Sequence, residues 1–217
     1  MIHIYIDEAG RWPLAGPVYV GVVVWKKSFN NKKFQGFRDS KKLSEKQREL
    51  LFTQLEQSAI DWSFGKSSAQ YIDKHGIVSA IRQAIMKAMR KILYRHWDDK
   101  AHKNPGSYTL TKLYNMIDAM GGITLHIDGN SDFGLRKKFP WLTIHTYIKG
   151  DDRIPAISAA SIIAKVLRDR EMIRLDKKYS DYWFGKHKGY GTVLHRYNIQ
   201  KYGLSAIHRQ SFCQSVC

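Results

Sequence analysis

Apolar residues recur in two short β-rich stretches near the N-terminus, with a polar turn between them. Alternation over residues 3–6 predicts a strand, and the nearly unbroken β-branched run over residues 18–25 predicts a second strand buried on both faces. Residues 7–13 lie between them and contain Gly10 and Pro13, which are typical of turns. We therefore expect the two strands to open the domain as a hairpin.

A capping box predicts the start of the first helix. Ser44 stands three residues before Gln47, a spacing at which each side chain can bond to the other residue's backbone N–H. This helix is expected to carry Leu50, Leu51 and Leu55 on one side.

Strand-like and helix-like periods alternate through the rest of the chain. Further strands are predicted at residues 59–65, 123–127 and 141–148, and further helices at residues 69–93, interrupted by Gly76, and at residues 157–177, with Ser158 near the start. Polar residues 26–33 and 97–108 are predicted to form loops. The order of elements indicates an α/β or α+β fold, with a mixed sheet, flanking helices and a helical C-terminal portion.

The charge balance favours a polyanionic partner. The 217 residues include 36 Lys and Arg against 19 Asp and Glu, which gives a formal net charge of +17. Nucleic acid is the favoured partner, because each neutralised phosphate releases counterions. An anionic membrane surface, or no such partner at all, is the alternative.

No stretch approaches the roughly 20 apolar residues of a membrane span, and the N-terminus MIHIYIDEAG lacks the regions of a secretion signal. We expect a cytoplasmic monomer that does not bind membranes.

Cysteine usage agrees with a reducing compartment. The two cysteines, Cys213 and Cys217, both lie at the C-terminus and outside any metal-like cluster. A disulfide between them would close only a short tail, and we favour two free thiols.

Acidic residues are few, but several of them follow predicted strands. Asp7 and Glu8 follow the first strand, and Asp128 and Asp151 follow later strands. Converging carboxylates repel one another unless a cation intervenes, and oxygen-only donor sets suit Mg²⁺ or Mn²⁺. Two such ions roughly 3.5–4 Å apart promote phosphodiester cleavage. The alternative is that each acid only shapes a turn, because Asp next to Gly is common in turns.

Seven sets of short motifs occur in a fixed order along the chain. They are Asp7-Glu8-Ala9-Gly10-Arg11 with Leu14-Ala15-Gly16-Pro17, Asp39-Ser40-Lys41-Lys42-Leu43-Ser44, Ile127-Asp128-Gly129-Asn130, Lys149-Gly150-Asp151, Ala159-Ala160-Ser161-Ile162-Ile163-Ala164-Lys165-Val166 with Arg168-Asp169, His187-Lys188-Gly189-Tyr190, and His208-Arg209 with Ser211-Phe212. In this order and spacing they resemble the motifs of the ribonuclease HII family, the type 2 ribonucleases H. The resemblance covers nearly the whole chain.

The resemblance implies a fold and a reaction. The fold would be an RNase H-like mixed β-sheet flanked by helices, with a catalytic domain over residues 1–178 and a substrate-contacting extension over residues 179–217 packed on it. The chain would be an endoribonuclease that hydrolyses the RNA strand of RNA–DNA hybrids, or ribonucleotides embedded in a DNA duplex. Cleavage at the 5′ side of the ribonucleotide would leave a 3′-hydroxyl and a 5′-phosphate.

The resemblance also assigns the catalytic acids. Asp7, Glu8, Asp128 and Asp151 would bind Mn²⁺ or Mg²⁺ and carry the catalysis. Asp169, in contrast, is expected to form a salt bridge with a nearby arginine rather than to bind metal.

Other matched positions are expected to contact nucleic acid. In the family a Gly-Arg-Gly turn lies against the 2′-hydroxyl at an RNA–DNA junction, and Gly10, Arg11 and Trp12 occupy its places here. A 2′-hydroxyl is what distinguishes RNA from DNA at a given site. Tyr190 matches a tyrosine that stacks on the following deoxyribose; the alternative for it is a core or rim aromatic.

Four polar residues are expected near the phosphate backbone. Ser40 and Lys41 match family positions there, and Lys165 and Lys188 are expected to supply phosphate contacts. The alternative for each lysine is a solvated surface charge. The helix around Ser161 and Lys165 would then serve mainly for packing.

Two tryptophans depart from the family pattern. Trp12 stands at the second glycine of the turn, and Trp183 stands where glycine is often found. We hypothesise that the Trp12 indole weakens or alters junction recognition and leaves the metal site intact. Alternatively, some lineages read UGA as glycine, and conventional decoding of such a gene would place tryptophan at glycine positions. UGG codons at both positions would exclude that explanation.

Two other functions would account for part of this sequence pattern. Another two-metal nuclease or resolvase of the same fold would share the acids, and it would cleave an all-DNA duplex. A non-catalytic or impaired nucleic-acid-binding module would use the basic surface alone, without divalent metal and without product. Four acids in one cleft argue against the second, because without a cation they would repel the ligand.

Overall fold

A single mixed sheet forms the centre of the protein. The computed structural model describes residues 2–24, 43–58, 60–97 and 121–214. The strands are β1 (Ile2–Ala9), β2 (Val18–Val24), β3 (Asp61–Ser67), β4 (Ile123–Asp128) and β5 (Thr143–Tyr147). They lie in the order β3-β2-β1-β4-β5.

Strand direction divides this sheet into two parts. β1 pairs antiparallel with β2, which confirms the predicted hairpin, and β2 pairs antiparallel with β3. β1 pairs in parallel with β4, which in turn pairs in parallel with β5. The carboxyl ends of β1, β4 and β5 therefore meet at one edge of the sheet.

Helices cover both faces of the sheet and form the C-terminal portion. They are α1 (Glu45–Glu56), α2 (Ala69–His75), α3 (Ile77–Trp97), α4 (Leu135–Lys138), α5 (Gly150–Arg153), α6 (Pro155–Asp176), a 3-10 turn (Ser180–Tyr182), α7 (Phe184–His187), α8 (Val193–Tyr202) and α9 (Gln210–Cys213). The fold is thus the predicted mixed sheet with flanking helices. Among the described residues, no helix combines the length and apolar content that crossing a bilayer requires.

Each sheet face packs against one long helix, and a glycine allows the closest approach on each side. A Cβ at Gly65 would lie 1.9 Å from the Ala84 carbonyl oxygen of α3, and one at Gly21 would lie 2.1 Å from the Ala160 carbonyl oxygen of α6. A side chain at either position would force the helix away from the sheet. The small residues of α6 therefore let its backbone lie directly against β1 and β2.

Residues at the helix N-termini explain where two of the helices begin. The predicted capping box at α1 is confirmed: the Gln47 N–H donates to Ser44 Oγ at 3.2 Å, and the Ser44 N–H donates to Gln47 Oε1 at 2.8 Å. The final long helix begins at Pro155, two residues before the predicted start, because proline suits the first helical turn, where its missing N–H has no role.

The predicted buried face of α1 was partly wrong. Leu50 is 60% exposed, whereas Phe52 and Leu55 are buried against α6, with Leu51 partly buried beside them. The helix is rotated so that the aromatic side chain of Phe52 contacts Trp62 edge-on. The larger apolar area of Phe52 takes the place that was assigned to Leu50.

Two predicted loops and one of the two cysteines lie in parts of the chain that the structure does not describe. The predicted loop over residues 26–33, the predicted loop beyond residue 97, and Cys217 lie outside the described residues. Cys213 is buried, and its Sγ lies 3.7 Å from the Leu14 carbonyl oxygen.

Trp183 has a backbone conformation that favours glycine. It joins the 3-10 turn to α7 with φ +58° and ψ +38°, in the left-handed region, and its side chain is 55% exposed. A side chain with a Cβ costs roughly 1–2 kcal/mol in this conformation. The strain agrees with the expectation that glycine suits this position.

We predict that Trp183→Gly is more stable than Trp183→Ala. Both variants lose the indole, so the comparison isolates the cost of a Cβ at positive φ. The expected difference is about 1 kcal/mol, or about 2–4 °C in thermal midpoint for a chain of this size. Equal midpoints by calorimetry would mean that the left-handed backbone at this position carries no strain.

Candidate metal centre and nucleic-acid interface

Three carboxylates converge at the edge where the parallel strands end. Asp7, Asp128 and Asp151 each offer one oxygen, and these oxygens lie within 4.8 Å of one another. Asp7 and Asp151 are buried, and Asp128 is half-buried. Three of the four predicted catalytic acids are therefore brought together.

Each aspartate reaches the cluster from a different element. Asp7 lies on β1, Asp128 is the last residue of β4, and Asp151 lies in the first turn of α5, directly after β5. The N–H groups of Gly150 and Asp151 donate to Asp128 Oδ1 at 2.7 and 3.3 Å. These bonds tie the end of β4 to the start of α5 and fix the orientation of the Asp128 carboxylate.

The electrostatic environment of Asp7 is unfavourable to its charge. Burial raises the pKa of Asp7 well above its usual value, and the charges of Glu8 and Asp128 raise this pKa further. Hydrogen bonds from the Ser161 side chain and the Glu8 N–H oppose the rise. A divalent cation between the carboxylates would reverse the balance, because it neutralises the repulsion. The oxygen-only donors thus fit a hard divalent ion.

Glu8 does not belong to this group of mutually close carboxylates. Its Oε1 lies 3.5 Å from Arg11 Nη1, and its side chain is only partly exposed. Glu8 follows Asp7 in β1, and its charge still raises the pKa of Asp7. It therefore lies beside the cluster, and its assignment as a fourth metal ligand stays a prediction.

The predicted recognition turn lies next to the carboxylates. Gly10 is buried with φ +91°, and a Cβ there would lie 2.0 Å from Arg168 Nε, so only glycine fits. The Arg11 guanidinium lies over the rings of Trp12 and Phe133, at 5.3 and 5.6 Å from the ring centroids.

The Trp12 side chain is 74% exposed. Trp12 does not have positive φ, in contrast to Gly10. Its backbone is therefore compatible with a side chain, and any obstruction would come from the exposed indole.

Tyr190 lies beside this turn, and its carbonyl oxygen is the end of a chain of hydrogen bonds through two histidines. The Ser205 N–H donates to His208 Nδ1 at 2.8 Å, so the His208 proton is on Nε2 and is donated to His195 Nε2 at 3.0 Å. His195 Nδ1 then donates to the Tyr190 carbonyl oxygen at 2.9 Å. Burial lowers the pKa of both histidines to about 4, which keeps them neutral and the chain of bonds in one direction.

The residues predicted to contact phosphate lie in different environments. The Lys165 ammonium donates to Asp169 Oδ1 at 2.8 Å, and Arg48 Nη2 lies 3.7 Å from Asp169 Oδ2. This ion-pair network agrees with the expected salt bridge of Asp169 and favours a structural role for Lys165. Lys188 donates to the Gly185 carbonyl oxygen, and its Nζ lies 3.9 Å from Glu45 Oε1. Phosphate contact by Lys165 or Lys188 stays a prediction.

Ser40 and Lys41 lie outside the described residues. Their predicted contact with the nucleic-acid backbone stays a prediction.

Sequence reasoning missed the roles of three residues at the site. Ser161 was expected to serve packing, but its side chain bonds to Asp7. Arg168 and Arg209 stand out in the sequence only as parts of the matched motifs, and both are fully buried behind the recognition turn. The signal available was their place within the matched motifs, since composition gives no reason to bury an arginine.

Comparison with known sequences extends over nearly the whole chain. A sequence profile of the family described as Ribonuclease HII matches residues 4–215. Ribonuclease HII of Clostridioides difficile (strain 630) is 38% identical over 211 residues, which cover 97% of this chain and 69% of that protein. Ribonuclease HII of Aliivibrio fischeri (strain MJ11) is 39% identical over 209 residues, which cover 95% of this chain and 84% of that protein.

Comparison with solved structures supports the same fold. RNase HII of Archaeoglobus fulgidus, solved in a complex with PCNA, matches with a TM-score of 0.65 and 24% identity, covering 97% of this chain and 93% of that one. Ribonuclease H2 from Pyrococcus horikoshii OT3 matches with a TM-score of 0.64 and 24% identity, covering 100% of this chain and 97% of that one. These likenesses establish the RNase H-like architecture implied by the motifs.

We predict opposite effects of Asp7→Asn with and without divalent metal. In chelator at pH 8 the variant should melt about 2–4 °C above the parent, a shift that corresponds to about 1 kcal/mol, because it lacks a carboxyl group whose ionisation is opposed by burial and by the charges of Glu8 and Asp128. The raised pKa sets the sign of this effect: the folded state binds the Asp7 proton more tightly than the unfolded chain, so stability is lost as pH rises from the usual aspartate pKa to the raised one. With Mn²⁺ the parent should gain stability by mass action, and the variant should gain much less.

Asp152→Asn is the matched control for this prediction. Asp152 is adjacent to Asp151 but exposed and outside the cluster. This control should keep the Mn²⁺-induced shift of the parent in differential scanning fluorimetry. An undiminished shift in Asp7→Asn would contradict the metal assignment.

Proposed function

This chain belongs to the ribonuclease HII family, and we propose that Asp7, Asp128 and Asp151 are its metal-binding catalytic residues. It is a type 2 ribonuclease H, an endonuclease that acts on RNA–DNA hybrids and depends on divalent metal ions. The observation that carries the assignment is the convergence of three carboxylates within 4.8 Å beside the Gly10 turn. Glu8, next to this cluster, is proposed as the fourth catalytic acid.

The metal we propose is Mn²⁺ or Mg²⁺. The donor set contains only carboxylate oxygens, which these ions prefer over softer metals. When bound, such ions lower the pKa of the attacking water and stabilise the leaving oxygen of a phosphodiester. Asp128 is pre-oriented for this task by the two N–H groups of α5, and Asp7 is supported by Ser161.

The turn at Gly10 and Arg11 is proposed to select the ribonucleotide. Its place beside the carboxylates would set the contact with a 2′-hydroxyl next to the scissile bond. Tyr190, which is 42% exposed, would stack on the following deoxyribose. Cleavage would then fall at the 5′ side of the ribonucleotide and leave a 3′-hydroxyl and a 5′-phosphate.

Cleavage mapping on three duplexes of one sequence tests this function. The strand to be cut contains one ribonucleotide, four consecutive ribonucleotides or none, and each duplex is incubated with Mn²⁺, with Mg²⁺ or with chelator. We expect 5′-phosphate products from the two ribonucleotide-containing duplexes only, and only with metal. Cleavage of the all-DNA duplex would favour the other two-metal nucleases, and product in chelator would contradict the metal mechanism.

Asp128→Asn should abolish cleavage in the same assay. Asparagine keeps the shape of the side chain but removes one of the three charges that hold the metal, so we expect a rate at least about 10²-fold lower. Duplex binding, measured by fluorescence anisotropy, should be largely retained because it depends on the basic surface. Appreciable turnover with Mn²⁺ would contradict the assignment of Asp128.

Removal of the exposed indole should improve junction recognition. We expect both Trp12→Gly and Trp12→Ala to raise kcat/KM on the single-ribonucleotide duplex by about tenfold, equivalent to about 1.4 kcal/mol. Both variants should act alike, because Trp12 does not occupy a glycine-only backbone conformation. If only Trp12→Gly raised kcat/KM, the cause would be the backbone conformation at residue 12. If neither variant changed kcat/KM, the indole would not obstruct recognition.

A further inference from the structure

Two arginines with no exposed surface lie directly behind the recognition turn. Arg168, on α6, and Arg209, immediately before α9, both have 0% relative exposure. The hydrogen bonds of both guanidinium groups end on main-chain carbonyl oxygens, and among the described residues neither forms an ion pair with a carboxylate. Because burial of a cation is costly, this arrangement points to a specific task.

Arg209 binds two carbonyl groups of the turn and one beyond it with a single planar group. Its Nη2 donates to the Gly10 carbonyl oxygen at 2.6 Å, its Nη1 to that of Arg11 at 3.1 Å, and its Nε to that of Gly16 at 3.0 Å. Three donors in a rigid fork thus fix three carbonyl directions at once.

The direction of these carbonyl groups fixes the direction of the next N–H groups. In a planar trans peptide the C=O and the following N–H point to opposite sides. Since the Gly10 and Arg11 carbonyls point inward to Arg209, the N–H groups of Arg11 and Trp12 point away from it. In the part of the chain that the structure describes, neither N–H donates to a protein acceptor. A cation bound to each carbonyl also polarises the peptide and strengthens its N–H as a donor.

Arg168 packs against Gly10 of the turn and connects the residues that follow the turn to the segment that carries Tyr190. Its Nη2 donates to the Lys188 carbonyl oxygen at 2.9 Å and to that of Ala15 at 3.3 Å, and its Nε donates to the Pro17 carbonyl oxygen at 3.1 Å. The guanidinium carbon also lies 5.7 Å from the centroid of the Tyr190 ring.

Main-chain hydrogen bonds connect the same segments. The Leu14 N–H donates to the Gly189 carbonyl oxygen at 2.9 Å, and the Arg209 N–H donates to the Leu14 carbonyl oxygen at 2.8 Å. The recognition turn and the Tyr190 segment therefore form one unit built around the two arginines.

We propose that Arg209 and Arg168 are positioning residues for ribonucleotide recognition. They hold the turn so that the N–H groups of Arg11 and Trp12 face the 2′-hydroxyl, and they hold Tyr190 at a fixed distance from it. The inference rests on the proposed function, since the 2′-hydroxyl is the group that the turn is proposed to contact. Neither arginine touches the reacting atoms.

The test measures binding selectivity separately from cleavage. The background is the Asp7→Asn, Trp12→Gly protein, which lacks a catalytic acid and the exposed indole. Anisotropy gives Kd for two duplexes that differ only in one ribonucleotide, and the selectivity is the ratio of the all-DNA Kd to the ribonucleotide Kd. Arg209→Lys keeps the charge but cannot span three carbonyls.

We expect Arg209→Lys, and equally Arg168→Lys, to reduce this selectivity by about tenfold, equivalent to about 1.4 kcal/mol. Kd for the all-DNA duplex should change by less than about twofold, because nonspecific binding follows net charge. Arg170→Lys is the matched control, since Arg170 lies on the same helix, is exposed and bonds to Glu49. It should leave the selectivity unchanged.

A second measurement covers the case in which Arg209→Lys fails to fold. In Arg209→Ala, methylguanidinium should restore selectivity, whereas methylammonium should not. Selectivity that survives in a folded Arg209 variant, even one with a lowered melting temperature, overturns the inference and leaves only a structural role. A background protein without any ribonucleotide preference would instead refute the proposed role of the turn itself.

Discussion

Mutual repulsion among three carboxylates at one edge of the sheet is the constraint on which this site depends. The parallel pairing of β1 with β4, and of β4 with β5, brings Asp7, Asp128 and Asp151 to the same edge. Burial and neighbouring charges raise the pKa of Asp7, so ionisation of Asp7 in the folded protein is costly. A divalent cation offsets that cost. With the proposed metal bound, the arrangement would couple the stability of the site to the ion that its chemistry requires.

In the proposed assignment, the residues for chemistry and those for recognition are held by separate parts of the fold. The carboxylates are fixed by strand ends and by the N–H groups of α5. The recognition turn is held by Arg168 and Arg209, whose positive charges face main-chain oxygens rather than the carboxylates. The chain is strongly basic overall, which favours approach of a polyanionic duplex to this acidic centre. If the turn has its proposed role, a change in it would alter selectivity for ribonucleotides without disturbing the acids.

Sequence alone predicted most elements, because hydrophobic periods, the Ser44 capping box and the apolar runs before Asp128 and Asp151 are local signals. It also predicted the three clustered aspartates, through the repeated pattern of strand followed by acid. The rotation of α1 that buries Phe52 instead of Leu50 was not predicted, because it depends on the packing of Trp62. The burial of Arg209 was not predicted either, since its carbonyl partners lie almost the whole chain away. Pairing of Lys165 with Asp169, in contrast, follows from their spacing of four residues in the predicted helix, although the sequence analysis expects an arginine as the partner of Asp169.

Anomalous scattering from crystals grown with Mn²⁺ tests the central claim most directly, because it locates the ion without reference to activity. We expect an anomalous peak about 2 Å from carboxylate oxygens of Asp7, Asp128 and Asp151, at the distances usual for hard cations. In crystals of the Asp128→Asn variant this peak should be weakened or absent. A parent crystal that shows Mn²⁺ bound elsewhere, with these carboxylates empty while the same preparation cleaves a ribonucleotide-containing duplex, would contradict the account.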